Sequence, residues 1–205
     1  ISLGLPDSLL GSAWPVIHQE LQVPLSYAGA VTMIISFGTI CSSLMSERLT
    51  RKLGVNIVTV CSVLLTAIAL YGFSTASAFW MLCLWGIPYG LGAGAIDAAL
   101  NNYVALHYNS RHMSWLHCFW GVGTIISPYI MSHALTTSVW QNGYRMVSFL
   151  QIGITVILFV TLPVWKVNRK EDEQKAEQSA VIGIHGALKI KGVPQLLLGF
   201  FSYCA

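Results

Sequence analysis

Apolar residues run along this chain in windows of about twenty, each bounded by a short polar stretch. A helix needs roughly 20 mostly apolar residues to cross a bilayer. The pattern predicts six spans, at approximately residues 1–18, 27–46, 54–73, 79–106, 114–135 and 146–165, and the start of a seventh at 193–205. The expected fold class is an all-α membrane protein: a six-helix N-terminal bundle over 1–165, a cytoplasmic linker over 166–192 and a truncated seventh helix. The linker reads Lys-Val-Asn-Arg-Lys-Glu-Asp-Glu-Gln-Lys from residue 166, a mixed-charge run that no membrane accepts. Beyond it Val181, Ile184 and Leu188 recur at helical spacing, with His185, Lys189 and Lys191 between or past them. That pattern fits a helix lying on the inner membrane surface or a solvated linker helix equally well. Ile1 and Ala205 both fall inside apolar stretches, and six spans with a charged linker and a seventh beginning describe half of a twelve-span protein.

Composition agrees with the pattern. Charged residues make up 9% of the 205 and apolar types 55%, whereas soluble domains carry charge on about a quarter of their residues. Ten of the eleven basic residues follow the second, fourth or sixth predicted span; Arg145, placed before the sixth, is the exception. Short basic loops stay on the cytoplasmic side, so the even loops, the linker and the N-terminus are expected to be cytoplasmic in a cell-membrane protein. The net charge of +3 then reports topology and contact with anionic lipid, and gives no reason to invoke nucleic acid. The five cysteines lie in predicted spans without paired spacing and are read as small apolar filler, with no metal and no disulfide framework. No metal-ligand pair, Ser-His constellation or nucleotide loop points to an enzyme, and no cofactor is implied.

Six of the eight acids fall in predicted loops; Asp7 and Asp97 remain within spans. An ionised carboxylate in a span costs several kcal/mol unless it is hydrated, paired or neutralised. No Lys or Arg lies in any predicted span, which leaves protonation as the route to neutrality. Asp97 follows Gly86, Gly90 and Gly94, a small-residue stripe for close helix approach, and Asn101 stands one turn beyond it. The alternative for Asp97 is a hydrogen-bonded structural acid. Asp7 sits in Gly4-Leu-Pro6-Asp7-Ser8-Leu-Leu-Gly11-Ser12, a loosened helix of the kind that flanks transporter binding sites; a kink acceptor is its alternative. His117 is equally a solute or proton contact and a structural histidine. Tyr89, Trp85, Trp115 and Trp120 are candidate stacking surfaces, although aromatic rings are common in membrane cores and interfaces.

Between the second and third spans the chain reads Ser43-Leu-Met-Ser-Glu47-Arg48-Leu-Thr50-Arg51-Lys52-Leu-Gly54. This resembles the major facilitator superfamily signature G-x-x-x-D-R-x-G-R-R/K, with Ser43, Glu47 and Thr50 replacing the first Gly, the Asp and the second Gly. Glu47 with Arg48, Arg51 and Lys52 is a candidate conformational latch; a plain positive-inside loop is the alternative. Gly90-Leu-Gly92-Ala-Gly94-Ala-Ile-Asp97-Ala-Ala-Leu-Asn101 and His112-Met113-Ser114-Trp115-Leu116-His117-Cys-Phe-Trp120-Gly121-Val-Gly123 resemble the fucose permease branch of that superfamily. The resemblance runs through all six spans, strongest in the fourth and fifth. It implies helices one and four lining a central cavity, with acids at the positions of Asp7 and Asp97 serving proton coupling and sugar recognition; Asp97 replaces a family Glu.

The expected function is proton-coupled uptake of a small polar solute such as a sugar by alternating access. Asp97 and Asp7 are the proton sites, and Asn101, His117, Trp120, Tyr89 and Trp115 the solute contacts. The alternatives are an exporter or facilitator of amphipathic or cationic compounds, and a non-transporting membrane receptor or structural half-protein. Expected partners are the solute, protons, lipid, the missing C-terminal half and, for the isolated half, a second copy of itself.

Overall fold

A computed structural model describes residues 2–162, 189–190, 192–195 and 198–199. The chain divides into two units, 1–166 and 167–205. In the second, Val193 donates its N–H to the carbonyl of Ile190 at 3.1 Å across a turn that contains Gly192, with φ at 102°. The proposed surface helix and most of the seventh predicted span lie outside the described residues.

The first unit contains seven helices among its described residues: α1 (Gly4–Asp7), α2 (Leu9–Glu20), α3 (Tyr27–Leu53), α4 (Val55–Ser74), α5 (Phe79–His107), α6 (Ser110–Thr137) and α7 (Trp140–Thr161). The stretch expected to form one first span is therefore two helices, divided at Ser8, with φ −95° and ψ −2°. Ser8 turns its hydroxyl to the carbonyl of Thr124 on α6 at 3.0 Å, which holds the break against a neighbouring helix. Four helices, α3, α4, α5 and α7, are long and apolar enough to cross a membrane. α6 has the length, but Pro128, Tyr129, Ser132 and His133 interrupt its apolar run.

Two further boundaries differ from the expected ones. α3 runs seven residues past 46, so Glu47, Arg48, Arg51 and Lys52 occupy helical turns, and Gly54 alone turns the chain into α4. Its φ of 88° lies in a region that L side chains rarely adopt. α7 begins at Trp140, which puts Arg145 within a helix, where its guanidinium reaches Asn142 at 3.4 Å; Arg111 likewise lies in the first turn of α6. Both arginines extend helices whose apolar windows alone had been counted as spans.

The distribution of side chains is that of a protein dissolved in lipid. Large apolar residues face outward, among them Met33, Phe37, Ile157 and Val160, while Ser42, Ser46, Thr59, Thr66, Ser127, Ser148 and Gln151 are buried. Helices in a bilayer associate through close backbone packing and interhelical hydrogen bonds, since lipid offers apolar side chains as good a solvent as the protein interior does.

The α3–α5 interface follows that rule. Cβ atoms added at Gly90 and Gly94 would strike the backbone oxygens of Ile35 and Thr39, and one at Gly38 would lie 3.3 Å from the backbone of α5. At this separation Thr39, Ser42, Ser43 and Ser46 donate their hydroxyls to the carbonyls of Gly90, Leu91, Gly94 and Ala95 respectively. The opposite face of α5 packs on α4, where Gly92 lies against Ser62 and Thr66.

The largest apolar cluster joins Leu5, Leu9 and Ile17 to Leu70 and Phe73 of α4, Leu82 and Tyr89 of α5, Met131 of α6 and Tyr144 of α7. Two polar ties cross it. Glu20, the last residue of α2, accepts from Trp140 Nε1 at 2.7 Å and Gln141 Nε2 at 3.1 Å, fastening that helix end to the start of α7. Gln151, only 1% exposed within α7, accepts from the Ser2 hydroxyl at 2.6 Å and donates to the Ser2 carbonyl.

Candidate functional site

α1 is pressed onto α6. A Cβ on Gly4 would overlap the carbonyl oxygen of Trp120 and approach Thr124 N at 3.0 Å, so glycine is needed for this approach. One turn further on, Asp7 leaves α1 just before the Ser8 break, and its carboxylate reaches both neighbouring helices. Tyr89 of α5 donates its phenolic O–H to Asp7 Oδ1 at 2.8 Å. Trp120 of α6 donates its indole N–H to Asp7 Oδ2 at 3.0 Å. Each carboxylate oxygen thus accepts one neutral donor, and the donors come from two different helices.

The two donors differ in surroundings. Tyr89 is 6% exposed, packs edge-on against Phe73 with ring centroids 6.4 Å apart, and belongs to the core cluster. Trp120 is 44% exposed. Asp7 is exposed as well, so the carboxylate and the indole stand on an open face while the phenol anchors them from within.

Asp97 is held less firmly. Its Oδ1 accepts from Asn101 Nδ2 at 3.1 Å, one turn along the same helix, while the buried Oδ1 of Asn101 has no partner. His117 of α6 is within electrostatic range of Asp97, and Asp97 is within such range of Asp7. Both acids and His117 are exposed, with Asp7 on α1, Asp97 on α5 and His117 on α6.

The structure therefore brings Asp7, Tyr89 and Trp120 into one bonded set and places Asp97, Asn101 and His117 in a second, electrostatically linked to the first. Tyr89, taken from the sequence as a solute contact, is buried and serves the carboxylate. Trp115 is five residues before Trp120, about 7.5 Å along the helix and roughly 140° around it. Its ring, 56% exposed, has the Arg111 guanidinium 5.8 Å from its centroid, and so meets a cation at the start of α6.

The candidate latch residues occupy the last turns of α3. Glu47 Oε1 meets Arg51 Nη2 at 3.9 Å, with both side chains more than half exposed. An (i, i+4) neighbour stands directly above on a helix, while Arg48, the next residue, points about 100° away. Glu47 and Arg51 thus pair along one helix face.

Some contacts were not anticipated. Thr39, Ser42, Ser43 and Ser46 fall at i, i+3, i+4 and i+7, a hydroxyl stripe legible at helical spacing. The Ser2–Gln151 and Glu20–Trp140 ties join residues more than a hundred positions apart and leave no periodic trace.

The sequence profile of the Major Facilitator Superfamily matches residues 1–205. Among curated proteins, Bypass of stop codon protein 6 of Saccharomyces cerevisiae is 22% identical over 162 residues, which cover 78% of this chain and 33% of that protein. The chain spans about a third of the length of that relative.

Proposed function

The chain belongs to the major facilitator superfamily, whose members are multi-pass membrane transporters, and from that premise we propose that it forms part of a secondary active transporter that takes up a small polar solute together with protons. The solute is a sugar, in keeping with the resemblance of the fourth and fifth predicted spans to the fucose permease branch. One observation carries this reading: an exposed carboxylate, Asp7, held by donors from α5 and α6, with a second exposed acid, Asp97, within electrostatic range.

The roles divide according to how each acid is held. Asp97 has a single neutral donor from its own helix and His117 within electrostatic range, and exchanges its proton with the solute path. Protonation neutralises it and biases the balance between the two access states, as a ligand does when it binds one state more tightly. Asn101, one turn from Asp97 and bonded to it, and the Trp120 ring meet the solute. Glu47, Arg48, Arg51 and Lys52 at the end of α3 form a charged latch that differs between the states.

Proton-driven uptake of hexoses by the full-length protein in vesicles tests the assignment. Asp97→Asn is expected to abolish accumulation against a gradient while sparing downhill exchange; unchanged accumulation removes Asp97 from the coupling role. Exposed acids also suit a cationic or amphipathic solute, as in an exporter or facilitator, and inhibition by organic cations in place of sugars favours that second reading.

A further inference from the structure

Trp120 is half open to its surroundings, yet its indole nitrogen is fixed. A tryptophan ring on a helix has two side-chain torsions to settle, and a bond at Nε1 settles both when the acceptor is itself immobile. Asp7 meets that requirement. It stands on a short helix pressed against α6 at Gly4, its other oxygen is held by the buried Tyr89, and the following residue is tied to Thr124 by the Ser8 hydroxyl. The contacts that seat α1 on α6 therefore also seat the acceptor of the Trp120 N–H.

We propose that Asp7 is a positioning residue which, in its ionised form, holds the Trp120 ring as a flat stacking platform on the open face, and that protonation of Asp7 at Oδ2 loosens this hold. The ligand class follows from the pairing. An indole face takes up the apolar C–H face of a saturated ring, and the acceptor sites that Asp7 keeps after binding Tyr89 and Trp120 take hydroxyl hydrogens at the ring edge. A pyranose offers both. On protonation, the proton passes from water onto Oδ2, which becomes an O–H donor and a weaker, uncharged acceptor, so the bond from the indole N–H weakens.

This assignment rests on the reading that the open face lines a solute path, and its test needs no solute. The groups that face Asp7 are Tyr89 and Asp97 from α5 and the indole of Trp120 from α6. His117 on α6 is within electrostatic range of Asp97, and Tyr144 of α7 is within such range of Tyr89. α2 has no titratable residue before His18.

The full-length protein in nanodiscs is labelled with 5-fluorotryptophan, and the Trp120 resonance is identified by its loss in Trp120→Phe. Between pH 4 and 9 the ¹⁹F signal of Trp120 is expected to move with one principal midpoint and to broaden on the acid side as the hold on the ring loosens. Asp7→Asn removes the titration, and His117→Gln retains it. Tyr89→Phe, which keeps the core ring and deletes one donor to the carboxylate, shifts the midpoint, so the inference stays open to test if Asp7→Asn does not fold. A Trp120 signal that is flat across this range, that titrates unchanged in Asp7→Asn, or that ignores Tyr89→Phe overturns the proposal. Failure of hexoses to be transported, with the titration intact, refutes the sugar reading and leaves the positioning role standing.

Discussion

At the residue scale, the side chains that organise this bundle are polar groups whose partners lie far away in sequence. Gln151 is the clearest case. Within a predicted span it is an isolated amide, and the structure gives it both a donor and an acceptor on Ser2. Replacing it with Leu leaves the Ser2 hydroxyl and carbonyl without these partners, and an unmade buried hydrogen bond costs about 1–3 kcal/mol. Gln151→Leu is therefore expected to lower the thermal unfolding midpoint in detergent by several degrees, whereas Ile157→Leu on the outward face of α7 leaves it unchanged. The acids divide along the same line. That Asp7 and Asp97 stand apart from the other acids was legible, because a carboxylate in an apolar window stands out against its neighbours. Their partners were not: Asn101 sits one turn from Asp97 and can be read by counting, but Tyr89 and Trp120 reach Asp7 across 82 and 113 residues.

At the element scale, hydropathy located the helices well and their ends poorly. The apolar windows gave the positions of α3, α4, α5 and α7, but amphipathic turns carried α3 to Leu53 and started α7 at Trp140, past the point where apolar residues give way. Charged residues end an apolar window without ending a helix, because they hydrogen-bond their backbone as well as any other residue does. The break at Ser8 had a visible cause in the nearby Pro6 and Gly4, yet its location depends on the reach of Ser8 to α6. The glycine stripe on α5 was readable as a packing surface, and its partner is now α3. Gly94→Ala is expected to destabilise the protein by about 1–3 kcal/mol, as overpacking does, because the new methyl meets the backbone of Thr39 and backbone cannot rotate away. Gly11→Ala supplies the contrast: nothing lies within 4 Å of its Cβ, and relief of glycine's helical entropy cost raises stability by about 0.5–1 kcal/mol. Thermal unfolding of the two variants side by side checks both signs.

At the scale of the whole molecule, much of the chain's exterior is apolar, and lipid alone does not explain an open face that carries Asp7, Asp97 and His117. Expressed by itself, the 205-residue chain is expected to cover that face by self-association, as a two-fold dimer of parallel protomers in detergent. Light scattering decides it, and a monodisperse monomer counts against the expectation. Assembly within the bilayer raises a separate problem, which the hydroxyl seam between α3 and α5 resolves. Thr39 donates to Ile35 in its own helix at 3.0 Å as well as to Gly90 across the interface at 3.3 Å. A serine or threonine on a lone helix can turn back in the same way to the carbonyl one turn behind it. α3 can therefore enter lipid before α5 is made without leaving a hydroxyl stranded in hydrocarbon, and then exchange those internal bonds for the seam. Order of synthesis and order of insertion are thereby compatible, since the helix that emerges first carries its own temporary acceptors.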